Sequence, residues 1–458
     1  MLDIVIKNGA LVNFQDGNFE ELNLGIKDGK IAALTKEVIK GRQEIDADKM
    51  IVAPGFIDIH MHEDPIVTEG NKRIVAEEIT KLSAAMGVTT AIGGCCGTGM
   101  GDVAEYYKII DNDGLSVNMG LYTGYSSLRQ KIGIEDRYAP AKKDEIEKLK
   151  NLIRTDLAAG AIGLSFGIEY TPGSTTNEII EVGKVVREFP GRSISVHCRH
   201  DAGMGIEAIK EAIYLGWVTA VPVQISHLGS CTAFGMMEES LTIIEKAKQA
   251  GIDLMSDCYP YNAFSTSIGS AVFDEGCFER YKATFSNLLV LEGKYKGCHC
   301  TKDSFHYLRE YEPETKVSAF MMDDEEVAKA ILHPDVLICS DGLFRNNQGH
   351  PRGAGAFPRY LSHYVREKGM IPLLEALSKI TIKPALRLGL RNKGQLDIGK
   401  DADIVIFNAD EIKDTSTYQQ PAAPPLGIDY VLVNGVLAVD RGRLTGNKPG
   451  RAIRLSDS

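Results

Sequence analysis

The sequence predicts an α/β chain: a (β/α)8 TIM-like barrel over residues 53–394, with a small β-sandwich domain built from both termini, 1–52 and 395–458. Three observations predict it. Short apolar segments alternate with longer amphipathic ones through the middle of the chain, as parallel strands joined by crossover helices do. The two ends show no helix-length period and read as short strands broken by tight turns. Chemistry-bearing polar residues stand at the ends of the central apolar segments, where a barrel places its active face.

Taken in order, Ile4, Ile6 and Leu11 flank Asn8-Gly9, and Leu24, Ile26, Ile31 and Leu34 flank Asp28-Gly29, both hairpin signals. Candidate barrel strands follow over 55–60, 89–93, 116–122, 161–164, 193–197, 221–227, 253–258 and 336–340. Helical patterns lie between them, over 74–86, 142–159, 176–189, 206–215 and 236–250. The segment 266–335 exceeds an ordinary connection and is expected to be a structured insertion near the active face. Strand-like segments return over 396–399 and 402–407. Tyr430-Val431-Leu432-Val433-Asn434-Gly435-Val436 echoes Ile4-Val5-Ile6-Lys7-Asn8-Gly9-Ala10, which suggests one β domain made from both ends. The Pro/Ala-rich stretch 419–425 reads as a surface loop.

At 458 residues the chain implies one large domain plus a smaller one, or two or three ordinary ones. Hydrophobic content of 44% and charged content of 25% are those of a soluble globular protein. No run of about 18 apolar residues occurs, so no transmembrane helix is expected. The first six residues lack the basic-then-apolar pattern of a signal peptide. A net charge of −11 disfavours nucleic acid and anionic membranes as partners, though not an anionic small molecule. Nine cysteines without an export signal suggest free thiols in a reducing, cytoplasmic compartment. Cys298-His299-Cys300 has no second ligand pair beside it and reads as incidental.

The strand-end residues carry the functional argument. Asp58, His60 and His62 share one face of the first strand, so two imidazoles can point at one metal. Taken alone they could equally be exposed strand-end histidines. Strand two ends at Cys95-Cys96-Gly97, strand five at His197, strand six at His227 and strand eight at Asp341. Four of ten histidines at predicted strand ends converge on one rim if the barrel forms. Four imidazoles and a thiolate suit a zinc site with an open position for water. Such a metal lowers the pKa of water and polarises a carbonyl, and Asp341 is then the natural general base. The alternative for Asp341 is a strand-end cap, since Ser-Asp-Gly is also turn chemistry.

The chain resembles the metal-dependent amidohydrolases through Pro54-Gly55-Phe56-Ile57-Asp58-Ile59-His60-Met61-His62. Within them it resembles the D-aminoacylases, or N-acyl-D-amino-acid deacylases. That likeness runs through Cys96-Gly97, Gly163-Leu164-Ser165 with Tyr170, His197 with Arg199, Ser226-His227 and Asp257-Cys258-Tyr259-Pro260-Tyr261. It continues through Ser265-Thr266, Ser340-Asp341-Gly342, His350-Pro351-Arg352, Phe357-Pro358-Arg359 and Gly446-Asn447-Lys448-Pro449-Gly450-Arg451. The resemblance implies Zn2+ held tightly by Cys96, His197 and His227. It implies a second, weaker or empty site at His60 and His62, with Cys96 as bridge and Glu169 as the runner-up. No lysine lies in 160–170, so the carbamylated-lysine bridge of many relatives is absent. Asp341 matches the catalytic acid/base, and Tyr259 a tyrosine that could stabilise the oxyanion. Arg352 matches a holder of the substrate α-carboxylate, and Tyr170 and Ser265 match other pocket positions.

The implied reaction is hydrolysis of a small N-acyl-D-amino acid to a carboxylate and a free D-amino acid. The rivals are a related enzyme acting on a cyclic amide or dipeptide, and a non-catalytic barrel scaffold. One departure bears on the substrate. Where relatives follow the strand-six histidine with His-Lys, this chain has Leu228-Gly229-Ser230, without a cation to clamp an anion.

Overall fold

A computed structural model describes residues 1–455 of the chain. Eight parallel strands form one sheet: Phe56–Asp58, Val88–Gly93, Asn118–Gly124, Gly163–Gly167, Ser193–His197, Val223–Ile225, Leu254–Cys258 and Val336–Ile338. Each pairs with its neighbour in chain order, so the sheet wraps into a barrel. The first and last strands share no ladder. Their C-terminal ends are stitched instead, by Asp341 N to His60 O (2.8 Å) and His62 N to Gly342 O (2.9 Å). Buried Asp58 also spans this seam, accepting from Ser340 N at 3.0 Å and from the Ser340 hydroxyl. Burial raises its carboxyl to about 7, an effect those bonds partly offset.

The strands are covered on both faces, which is why they read as apolar runs rather than alternations. The helix Lys143–Ala158 buries Leu149, Ile153 and Leu157, a stripe at fourfold spacing that seats it on the barrel. The stretch 74–86 is a correction. Only Ile79–Ala85 is helical, while Lys72–Val75 is a strand paired with Ile66–Glu69. β-Branched Ile74 and Val75 fit that hairpin. The helix begins where the Asp64 carboxylate accepts the N–H groups of Glu78, Ile79 and Thr80.

The terminal strands join in one nine-stranded sheet with its own core, including Ile6, Leu24, Ile26, Ile404 and Leu432. The sheet curls on itself: Lys30 bridges Asp401, and Ala402 N reaches Gly29 O at 2.9 Å. Between the seventh and eighth barrel strands, Phe264–Ser267, Lys316–Ala319 and Leu288–Val290 form a three-stranded antiparallel sheet. Phe278, Phe285 and Phe305 pack beside it, with ring centroids 4.4–5.2 Å apart. This unit walls one side of the barrel mouth. Among the described residues no helix is long and apolar enough to cross a membrane, and all nine cysteines are free thiols.

Candidate metal centre and active site

The strand ends deliver their side chains to one place, and three of the residues that do so have left-handed backbone: Cys96 (φ 53°), His227 (φ 32°) and Asp341 (φ 46°). Such conformations cost about 1–3 kcal/mol each and persist only where the surroundings impose them. Here Asp257 Oδ1 accepts His227 N at 2.7 Å, and His60 O accepts Asp341 N. Gly167 lies so close to the Cys96 turn that a Cβ on it would sit 2.0 Å from Cys96 O.

Cys96 Sγ lies 3.3 Å from His60 Nε2 and 3.4 Å from His227 Nε2. His197 Nδ1 lies 2.9 Å from His227 Nε2, and His62 Nε2 lies 3.1 Å from Asp341 Oδ1. Two metal-sized groups of donors result: Cys96, His197 and His227, and His60, His62, Cys96 and Asp341. They share the Cys96 sulfur. A third, wholly buried group joins His60 to Asp257 and Cys339 behind the first strand. A cavity of about 500 Å³ opens over the shared sulfur, its wall including His62, Tyr170, Ser265 and Arg352.

A model of the amidohydrolase family matches residues 51–438. The chain belongs to the amidohydrolase family. It is 30% identical to a D-aminoacylase from Alcaligenes xylosoxydans xylosoxydans, over 98% of this chain and 97% of that one. An N-acyl-D-glutamate deacylase from Bordetella bronchiseptica, solved with zinc and a phosphonate mimic of the tetrahedral intermediate, superposes with a TM-score of 0.88. It is 27% identical, over 99% of this chain and all of that one. With the same figures, a D-aminoacylase superposes whose binuclear metal centre is described as showing one-metal activation and second-metal attenuation.

Metal dependence of this amidohydrolase agrees with its donor set. Burial, then the neighbouring imidazole, holds His227 well below the ordinary histidine range, and burial lowers His197, so both are neutral and can ligate. Burial, then Asp341, pushes the Cys96 thiol well up. Only a cation at the cluster reverses that and gives the thiolate a soft metal needs.

Three of the four clustered imidazoles also have a polar neighbour on the ring nitrogen that faces away from the cluster. Asp257 lies 3.2 Å from His60 Nδ1, Glu169 lies 3.4 Å from His197 Nε2, and Ser230 Oγ lies 2.8 Å from His227 Nδ1. Such partners fix tautomer and ring orientation. Glu169 is thereby corrected as a bridge: it stands behind His197, paired with Arg280 at 3.2 Å, and not between the two donor groups. Burial raises its carboxyl to about 8, against the pull of Arg280. Asp257 serves two donors, since it also bonds the backbone N of His227, and Gln224 Nε2 holds its other oxygen at 2.9 Å. Asp257→Asn is expected to weaken metal binding about 10–100-fold, read by competition with a chelator of known affinity. Unchanged affinity would remove Asp257 from this role.

Asp341 faces both donor groups. Burial alone would raise its carboxyl, but Arg352, then His62, more than offset this and keep it well below the usual range. Arg352 Nη2 pairs with Asp341 Oδ2 at 2.7 Å, and its Nε donates to Asp341 O at 2.8 Å. Its Nη1 is buried without a partner among the described residues. The ring of Tyr259 lies under that guanidinium, 4.4 Å away. The Tyr259 hydroxyl contacts Met322 Sδ, 3.9 Å away, and its ring lies between Arg352 and His227. Tyr170 packs against His197 with the rings tilted at 39° and their centroids 4.5 Å apart. In Cys298-His299-Cys300 the cysteines diverge, one exposed and one buried, and His299 Nδ1 bonds Ser286 O.

The roles of Asp257 and Ser230 had no sequence signal beyond their place near strand ends. His350 carries part of the family likeness, but the sequence gives it no role. It is buried, bonds Tyr418 through Nε2 (3.0 Å) and accepts Arg352 N through Nδ1 (3.0 Å), seating the arginine.

Proposed function

We propose that the protein hydrolyses N-acyl-D-amino acids to a carboxylate and a free D-amino acid, with zinc as its metal. Cys96, His197 and His227 would hold one ion tightly, and His60 and His62, with Cys96 as bridge, a second one weakly. The observation that carries this reading is the pair of donor groups sharing one sulfur beneath a cavity, with Asp341 beside them and an arginine on the wall. When bound, the metal acidifies water and polarises the scissile carbonyl.

The chain's own groups do the rest. Asp341 is ionised and oriented through both oxygens, by His62 on Oδ1 and Arg352 on Oδ2. It takes the proton of the attacking water and returns it to the departing amide nitrogen. Arg352 offers its free Nη1 toward the substrate α-carboxylate. Tyr170 and Ser265 line the same cavity and supply hydroxyls for the amide or carboxylate.

The test is release of free amino acid from matched acetyl-D- and acetyl-L-amino acids by zinc-loaded protein. Turnover of D substrates is expected, and turnover confined to L substrates overturns the reading.

A further inference from the structure

The far wall of the cavity carries two cations from separate parts of the chain. Lys316 begins the central strand of the inserted sheet, and Arg345 lies in the hairpin of Phe344–Arg345 with Gln348–Gly349 that follows the eighth barrel strand. Neither makes an ion pair among the described residues. Lys316 Nζ donates to Ser267 Oγ at 2.5 Å, and Ser267 lines the cavity too. Arg345 spends its guanidinium on Phe344 O (2.7 Å), Glu63 O (3.4 Å) and Met100 Sδ (3.5 Å).

Two carboxylates, Glu292 and Glu314, line the same cavity. Glu292 Oε1 is taken by the backbone N of Lys316 at 2.8 Å, and Glu314 is exposed. Neither closes on the ammonium. Burial pushes the Lys316 amine down, Glu314 and Glu292 pull it back, and Arg345 adds to the depression. Both cations line the cavity outside any ion pair, and the Lys316 ammonium keeps donors beyond its bond to Ser267 that an anion in the cavity can take. The opposite side offers no cation after His227: Leu228 is fully buried, and a Cβ on Gly229 would meet Cys258 Sγ and Met322 Cε at 3.0 Å.

We propose that Lys316 and Arg345, with Ser267, form a second anion subsite, so that the preferred substrate bears a second carboxylate beyond its α-carboxylate. This rests on the deacylase reading above. The extra carboxylate sits on the amino-acid side chain or at the end of the acyl chain, and the arms of the test distinguish the two.

Acetyl-D-glutamate is compared with acetyl-D-glutamine, and succinyl-D-methionine with its neutral succinamyl counterpart. In the native protein at least one dianion is expected to exceed its neutral partner in kcat/KM by about tenfold or more, mostly through KM. The arm that shows the preference locates the carboxylate. Lys316→Met is expected to lower that ratio about tenfold and Lys316→Arg to restore most of it. Arg345→Gln gives an independent reading should Lys316→Met fold poorly. Ratios near one in the native protein, or ratios unmoved by these substitutions, overturn the subsite. If no acyl-D-amino acid of either charge is turned over, the deacylase reading fails instead.

Discussion

Asp341→Asn is expected to lower kcat by about 10²–10⁴-fold while the tightly held metal stays in place. Asparagine has nearly the same shape and tolerates the left-handed backbone at this position, so the turn survives. It cannot accept a proton, and the shuttle between water and leaving nitrogen stops. The substitution also leaves the buried Arg352 guanidinium without its carboxylate. Breaking one side of a buried pair costs about 3–5 kcal/mol, so a lower melting temperature is expected alongside the lost turnover. Metal content by elemental analysis separates the two effects. Near-normal turnover in metal-loaded Asp341→Asn protein would sink the mechanism.

Cys96→Ala is expected to cost more metal than any other single ligand change, because its sulfur belongs to both donor groups. Alanine keeps the backbone penalty at φ 53° about constant, so the loss reports the sulfur rather than the turn. Metal stoichiometry should fall for both ions, and kcat/KM by more than about a hundredfold. Replacing His60 and His62 together with asparagine leaves the donors Cys96, His197 and His227 intact. That double variant should retain one ion per chain and considerably more activity. Equal losses in the two proteins would show that His60 and His62 belong to the essential site.

Much of the site was legible in the sequence because barrels make it so. Cys96, His197, His227 and Asp341 each end an apolar run, and a run of that kind leaves its last side chains on the rim. The helix start at Ile79 was not legible, since it is set by Asp64, fifteen residues earlier, accepting the free amide groups. The direction of the Tyr259 hydroxyl was hidden too. It depends on Met322, in the inserted segment, and on the Arg352 guanidinium covering its ring. Lys316 and Arg345 gave no signal, because each looks like an ordinary surface charge until two strands distant in the chain meet at one cavity.

By itself, then, the sequence determined the barrel, the β character of both ends and the kinds of atoms that reach the rim. Those follow from periodicity, turn chemistry and residue type, all local properties. Only the tertiary structure decided that Asp341 is gripped by Arg352, and that Asp257, Glu169 and Ser230 stand behind three histidines. Those are relations between residues on strands that meet only when the sheet closes. Their distances are set by register and by the His60–Asp341 and His62–Gly342 seam, which no local pattern encodes.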